Sequence, residues 1–237
     1  MFVFSILQET TQSMKRGQLI VLEGGDGSGK ATQTKLLVDA LRARKLFVET
    51  LSFPRYSNSF YGKLVGRFLS GEFGSLDAVS PYLAAIPYSL DRLDARDQIN
   101  RWLEEGKIVV IDRYVPSSLA HQGAKEVPEK RGELIQWLEE MEYDENKLPR
   151  PDVVIYLHVA TSISRELVKK KAIVREYRHD LDIAERHKDH LEKAEEVFLE
   201  LSDEKGWKKI ECMKDGTLRY IEDIHSELLQ IVEGIHL

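Results

Sequence analysis

Residues 24–33 read GGDGSGKATQ, and this stretch restricts the fold more than any other feature of the chain. A glycine, four residues and then Gly29-Lys30 make a loop whose backbone N–H groups can converge on phosphate oxygens. Such a loop needs a buried strand before it and a helix after it, whose N-terminus adds partial positive charge. The flanking segments meet that condition. QLIVLEG (18–24) reads as an apolar strand, and SGKATQTKLLVDALRARK follows with Leu37, Ala40, Leu41 and Arg44 at helical spacing. Gly24, Gly25, Asp26, Gly27, Ser28, Gly29, Lys30, Ala31 and Thr32 are therefore expected to hold nucleotide phosphates, with Lys30 neutralising charge beside the transferring group. One position departs from the common pattern. The residue after the lysine usually offers a hydroxyl to Mg²⁺, and here it is Ala31. Thr32 and a nearby acid are expected to order the metal's water shell instead, since Mg²⁺ gives up its waters reluctantly.

Further apolar runs continue the pattern. LFVETLSF (46–53), KIVVIDRY (107–114), DVVIYLHV (152–159) and WKKIECM (207–213) read as strands, several with the near-continuous Val/Ile/Leu of strands buried on both faces. Helical patterns lie between them. SPYLAAIPYSLDRLDARDQINRWLEEG opens with Ser80 as an N-cap and Pro81 in the first turn, and Pro87 is expected to kink or divide it. DHLEKAEEVFLELSDEKG and LRYIEDIHSELLQIVEGI complete the set. The alternation predicts an α/β fold: a doubly wound, five-stranded parallel sheet with helices on both faces. The chain has 237 residues and no repeat, linker or low-complexity stretch, which predicts one domain over 17–237. Residues 1–16 read as a flexible N-terminal extension. Their opening, MFVFSILQETTQSMKRG, lacks the basic region and long apolar core of a signal peptide, and no run in the chain has the length of a membrane span.

Composition narrows the partners. Hydrophobic residues make up 42% and charged residues 31%, values of a globular chain and not a disordered one. The net charge of −6 excludes a general nucleic-acid footprint, so phosphate binding requires a local concentration of cations. Cys212 is the single cysteine, which rules out an internal disulfide and a cysteine zinc cluster and fits a reducing, cytoplasmic setting. Two segments supply candidate cations. In IVVIDRYVPSSLAHQGAK (108–125), Asp112 ends a strand and faces the ligand crevice, where a carboxylate can hold Mg²⁺ directly or through water. Arg113 beside it can clamp a phosphate, although the pair also reads as a salt bridge at a strand end. The segment 164–190 is densely charged and contains Lys169, Lys170 and Lys171. It reads either as a solvated helical face or as a basic flap over phosphates.

EGGDGSGKATQ, FPRY, YSLDRLD and DRYVPSSLAHQGAK occur in the order and spacing of thymidylate kinases, and the chain resembles that family closely over 19–160 and loosely beyond. The resemblance implies transfer of the γ-phosphate of ATP to dTMP, giving dTDP and ADP for DNA synthesis, with Mg²⁺ as cofactor and a homodimer as assembly. It makes Asp26 the acid that meets the sugar 3′-hydroxyl and the magnesium waters, and places Arg55 and Arg113 at the acceptor phosphate. Phe53 and Asp112 join the dTMP site, and Ser117 lines the same wall as Gln122. Tyr88, where the family often has Phe, stacks on thymine, Arg92 bonds its O4 and Gln122 reads its N3 edge. Thr32 and Asp112 order the metal through water. Some members carry an arginine directly after the loop aspartate. Here that position is Gly27, which implies that the flap supplies the charge, from Lys169, Lys170, Lys171, Arg175 and Arg178, with Arg165 a further candidate. Lys30, Asp26, Arg113, Arg175 and Arg178 are thus the expected catalytic set. Two other readings stay open: a kinase for another nucleoside monophosphate, opposed by Tyr88, Arg92 and Gln122, and a non-catalytic nucleotide-binding protein, opposed by Arg55 and Arg113.

Overall fold

Successive residues of a strand point to opposite faces, and here both sets are apolar. In the computed structural model, which describes residues 16–174 and 188–235, five strands form one parallel sheet. They are β1 (Leu19–Gly24), β2 (Val48–Ser52), β3 (Ile108–Asp112), β4 (Val153–His158) and β5 (Lys208–Glu211), in the order β2-β3-β1-β4-β5. The register sets Leu22 against Asp112 and Gly24 against Leu157, so β3 ends two residues short of β1 and Asp112 and Arg113 fall beside the start of the glycine-rich loop.

One face carries Ile20, Leu22, Val110, Ile155 and Leu157. It packs under α1 (Lys30–Ala43), through Leu37 and Leu41, and under α8 (Ile221–Glu233), through Ile224 and Leu228. The other face carries Leu19, Val21, Val109, Ile111 and Tyr156. Against it lie α3 (Pro81–Glu104), α4 (Val115–Gly123), α5 (Pro128–Glu139) and α7 (Lys188–Glu204). Burial on both faces is what forces the near-continuous Val/Ile/Leu composition of β1, β3 and β4. Helix α2 (Phe60–Leu69) packs on α3 outside the sheet, where Phe68, Leu76 and Ala84 form a separate small core.

The differences from expectation have local causes. Pro87 lies inside α3 without dividing it. It falls two turns from the start and deprives only the Leu83 carbonyl, beside a side chain that is exposed. Helices α4 and α5 have no strong periodic signal, whereas α2, absent from the expected set, is amphipathic and buries Gly62, Val65 and Phe68. Val115–Gly123 is nine residues containing Pro, two Ser and a Gly, and tertiary contacts hold it where propensity would not. Met213–Lys214 and Thr217–Leu218 form a hairpin, β6 and β7, separate from the main sheet. Its two-residue turn, Asp215-Gly216, has positive φ at both positions (50° and 76°), the Asp-Gly turn that suits the twist of paired strands. A single-turn π-helix (Glu140–Glu145) extends α5. Helix α6 (Thr161–Val174) follows β4 and carries Lys169, Lys170 and Lys171. The side chains of those lysines, Arg175 and Arg178, and the extension 1–15 lie outside the described residues. Among the described residues no helix is long and apolar enough to cross a membrane.

Candidate active site

The sheet's carboxyl edge opens into a cavity of about 410 Å³. The glycine-rich loop forms one end of it. Gly29, at φ 93°, occupies the left-handed region and stands where a helix N-cap side chain would be. Helix α1 therefore begins with no side chain on its first N–H groups, which stay available for an anion. Gly24 is required for a different reason. A Cβ there would come within 2.6 Å of the Leu157 carbonyl on the neighbouring strand. Lys30 folds back over the loop, its Nζ donating to the carbonyls of Gly24 (2.8 Å) and Gly25 (2.7 Å). Burial, and then the charge of Arg113, pull its pKa down to about 8 against the opposing pull of Asp26. Ala31 and Thr32 are exposed on the cavity side of the first turn.

Arg113 faces the loop from the end of β3. It does not close on its neighbour Asp112. Its Nη2 reaches Asp26 in the loop at 2.5 Å, and Nη1 lies 3.4 Å from the Ser117 hydroxyl. Enclosure pushes the Asp26 carboxyl up, but Arg113 and Lys30 outweigh it and hold the pKa below the usual aspartate range. The same contact pushes the Arg113 guanidinium further up against its burial. Its backbone sits at φ 65°, an uncommon conformation for a non-glycine residue, of a kind that costs about 1–3 kcal/mol and persists only where neighbours enforce it. The enforcing neighbour is Glu23, fully buried at the end of β1. It accepts from the backbone N–H of Tyr114 (2.8 Å) and of Ser117 (3.1 Å), and from the Ser117 hydroxyl (2.6 Å). Burial raises its pKa, with the Ser117 bond and Arg113 opposing.

The far end of the cavity is apolar with a few polar groups. Tyr88 from α3 lies edge-on to Phe68, their centroids 6.4 Å apart, and Phe53 and Leu76 complete the wall. Arg92 and Gln122 line it too, both buried. Arg92 is ion-paired to Glu142 and donates to Ser118 Oγ at 2.8 Å. The Gln122 carbonyl oxygen is buried without a hydrogen-bond partner, and so is Asp112 Oδ1. Unsatisfied acceptors are costly inside a protein unless something comes to meet them. Arg55 is placed differently from the other expected residues. It is not among the cavity-lining residues. Its guanidinium is held by Asp91 (3.0 Å) and Asp94 (2.6 Å), and Asp91 also accepts from Ser59, the N-cap of α2.

Of the expected residues, Asp26, Gly27, Gly29, Lys30, Ala31 and Thr32 thus meet Phe53, Tyr88, Arg92, Asp112, Arg113, Ser117 and Gln122 around one space. Gly24, Gly25 and Ser28 shape the loop behind it, and Arg165 stands on α6 away from it. Sequence reasoning did not single out Glu23, Asp91, Glu142 or the paired rings His121 and His190, 5.7 Å apart at the cavity wall. Glu23 was legible as a charge inside an otherwise apolar strand. Glu142 had no signal, lying in a run of acidic residues. The donor set suits a hydrated Mg²⁺. Asp112 offers an unpartnered buried oxygen and Thr32 a hydroxyl, while among the described residues no three His, Cys, Asp or Glu gather as a metal cage.

Comparison with known proteins agrees with this geometry. The family model described as Thymidylate kinase matches residues 22–227. The chain is 33% identical over 189 residues to the thymidylate kinase of Mycobacterium tuberculosis, an overlap of 80% of this chain and 87% of that protein. Among solved structures it is similar to thymidylate kinase from Candida albicans, with a TM-score of 0.70, 25% identity and 92% of each chain covered.

Proposed function

The chain belongs to the thymidylate kinase family, and from that premise we propose that it transfers the γ-phosphoryl group of ATP to dTMP through the side chains that meet in the cavity. A phosphate oxygen of dTMP forms the new P–O bond, the β–γ bridging bond of ATP breaks, and ADP leaves with those electrons. No covalent enzyme intermediate is needed, because holding the two phosphates in line and neutralising their charge supplies the catalysis. The loop N–H groups and Lys30 would bind the donor phosphates. Arg113 would clamp the acceptor phosphate, and Asp26, which orients Arg113, would also meet the sugar hydroxyl. Arg55 adjoins the same site through Asp91, which lines the cavity and holds the guanidinium together with Asp94. Bound Mg²⁺ would supply charge neutralisation, with Thr32 and Asp112 ordering its waters. Arg175, Arg178 and the neighbouring lysines would bring the remaining positive charge from the flap. A homodimer and a reducing, cytoplasmic setting complete the reading, the first supported by the family and the second by the single, buried thiol of Cys212.

One observation carries the substrate assignment. The cavity that holds the phosphate loop is also lined by an arginine, Arg92, and by Gln122, whose buried carbonyl oxygen has no partner. That pair matches the O4 acceptor and N3–H donor of thymine. Cytosine reverses both. Leaving the one cavity-facing N–H of the buried, charged arginine without an acceptor costs about 1.5–3 kcal/mol, so dTMP should exceed dCMP in kcat/KM by about ten- to a hundredfold. A coupled assay with dTMP, dCMP, UMP and AMP tests this, and comparable turnover of dCMP and dTMP would overturn it.

A further inference from the structure

Arg92 is held more firmly than recognition of a base would require. Glu142 grips the guanidinium side-on, with Nε 3.3 Å from Oε2 and Nη2 in an ion pair with Oε1. Nη2 also donates to Ser118, and Nη1 lies 3.5 Å from the Tyr114 carbonyl. A guanidinium has five N–H groups. The Nε proton, both Nη2 protons and one on Nη1 are therefore committed, and a single Nη1 donor is left for the cavity that Arg92 lines.

The brace continues along α3. Asn146, directly after the π-helix, donates from Nδ2 to Ser89 Oγ at 2.8 Å, and its carbonyl accepts from Arg96 Nη1 at 3.1 Å. Ser89, Arg92 and Arg96 follow the three- and four-residue spacing of one helix face. The segment 140–146 thus fastens three points of the helix that carries Tyr88. Arg92 and Glu142 are both essentially inaccessible, at 2% and 0% exposure. Burying such a pair is a poor route to stability, since desolvation offsets the attraction, whereas fixing one arrangement is its best-attested use.

We propose that Glu142 is the positioning residue for base selection. It commits the guanidinium so that one donor of fixed direction faces the base, which makes the wall accept a carbonyl oxygen and refuse an amino group. The proposal rests on the reading of Arg92 as the base-facing arginine. Asp91 and Asp112 line the same cavity, so without Glu142 the guanidinium has other carboxylates to turn towards.

The test is Glu142→Gln, which keeps volume and removes charge. The KM for dTMP should rise about tenfold or more, and the dTMP-over-dCMP preference should fall by a similar factor, as for the loss of a charge-assisted contact. The KM for ATP should stay within about twofold, since the loop lies at the other end of the cavity. Melting curves identify the folded fraction. If Glu142→Gln does not fold, Glu142→Asp, which withdraws the carboxylate by one methylene, should show the same split in smaller measure. Unchanged selectivity in the folded variant overturns the proposal, and so does an equal rise in both KM values. Arg92→Lys separates this from failure of the base assignment. It keeps the charge but not the planar fork. Selectivity lost in Arg92→Lys and intact in Glu142→Gln sinks the role of Glu142 alone, whereas selectivity intact in both sinks the base assignment.

Discussion

Glu23 holds the turn that aims Arg113, and two substitutions separate how it does so. Glu23→Ala removes the acceptor for two backbone N–H groups and one hydroxyl. Tyr114 is fully buried, so its N–H has no water to replace the carboxylate, while Ser117 is half-buried and keeps partial access. At about 1–3 kcal/mol for each buried donor left unpaired, the low end applying to Ser117, the loss comes to about 3 kcal/mol. In a chain of this length that lowers Tm by about 6–12 °C. Glu23→Gln keeps a carbonyl for both N–H groups, and the Ser117 hydroxyl can rotate to accept from the amide, so its Tm should fall by less than half as much. The sign of the pH dependence follows from burial. The folded pKa of Glu23 lies above its ordinary 4.5, so ionisation costs the native state stability as pH rises from 4.5 through that raised value. Glu23→Gln should remove this slope. Relaxing the left-handed turn should also raise the KM for dTMP in Glu23→Ala. Thermal melts between pH 4 and pH 8 beside dTMP kinetics decide the matter. Equal destabilisation by both variants would mean that charge, not hydrogen bonding, secures the turn, and the reasoning would fail.

Ala31 is expected to leave the loop active: Thr32→Val should lower Mg²⁺-dependent kcat by about tenfold, the usual effect of losing an outer-shell partner, while Ala31→Ser changes it little. An inert natural protein switched on by Ala31→Ser would refute this. His158 joins β4 to Glu195 on α7 (3.0 Å) and to Glu211 on β5 (2.6 Å), and the bond to Glu195, then that to Glu211, raise its pKa above 6.5 against partial burial. Its contribution is therefore complete below pH 6.5 and lost as pH rises through the raised value, so Tm should drop by about 1–3 °C more in the wild type than in His158→Gln, the scale of a partly exposed ion pair; parallel Tm profiles would contradict it.

The sheet was legible because both of its faces are buried. Leu19 to Leu22 have nowhere polar to point, so composition alone distinguishes the strand, and the same holds for 108–111 and 153–157. The phosphate loop was legible because its chemistry is local: Gly24, Gly29 and Lys30 act within seven residues. Helix α4 was not legible as a helix. Its sequence is a weak helix former, and what caps it is a carboxylate more than ninety residues earlier.

The same distinction separates the residues that face the ligand from those that hold them. A motif marks Arg113, Arg92 or Arg55 because residue type and spacing suit a phosphate or a base. The partner that fixes each one is drawn from wherever the fold brings a carboxylate. Asp26 reaches Arg113 across 87 residues, Glu142 reaches Arg92 across 50 and Asp91 reaches Arg55 across 36. No spacing rule connects such pairs, since they meet only when the sheet and α3 are assembled. Each partner also constrains its arginine in a different way. Asp26 leaves Arg113 with donors free beside the phosphate loop, whereas Asp91 and Asp94 turn Arg55 away from the cavity lining. An arginine at a motif position is therefore a donor for substrate only to the extent that its carboxylate partner leaves N–H groups uncommitted, and at Arg92 that count falls to one.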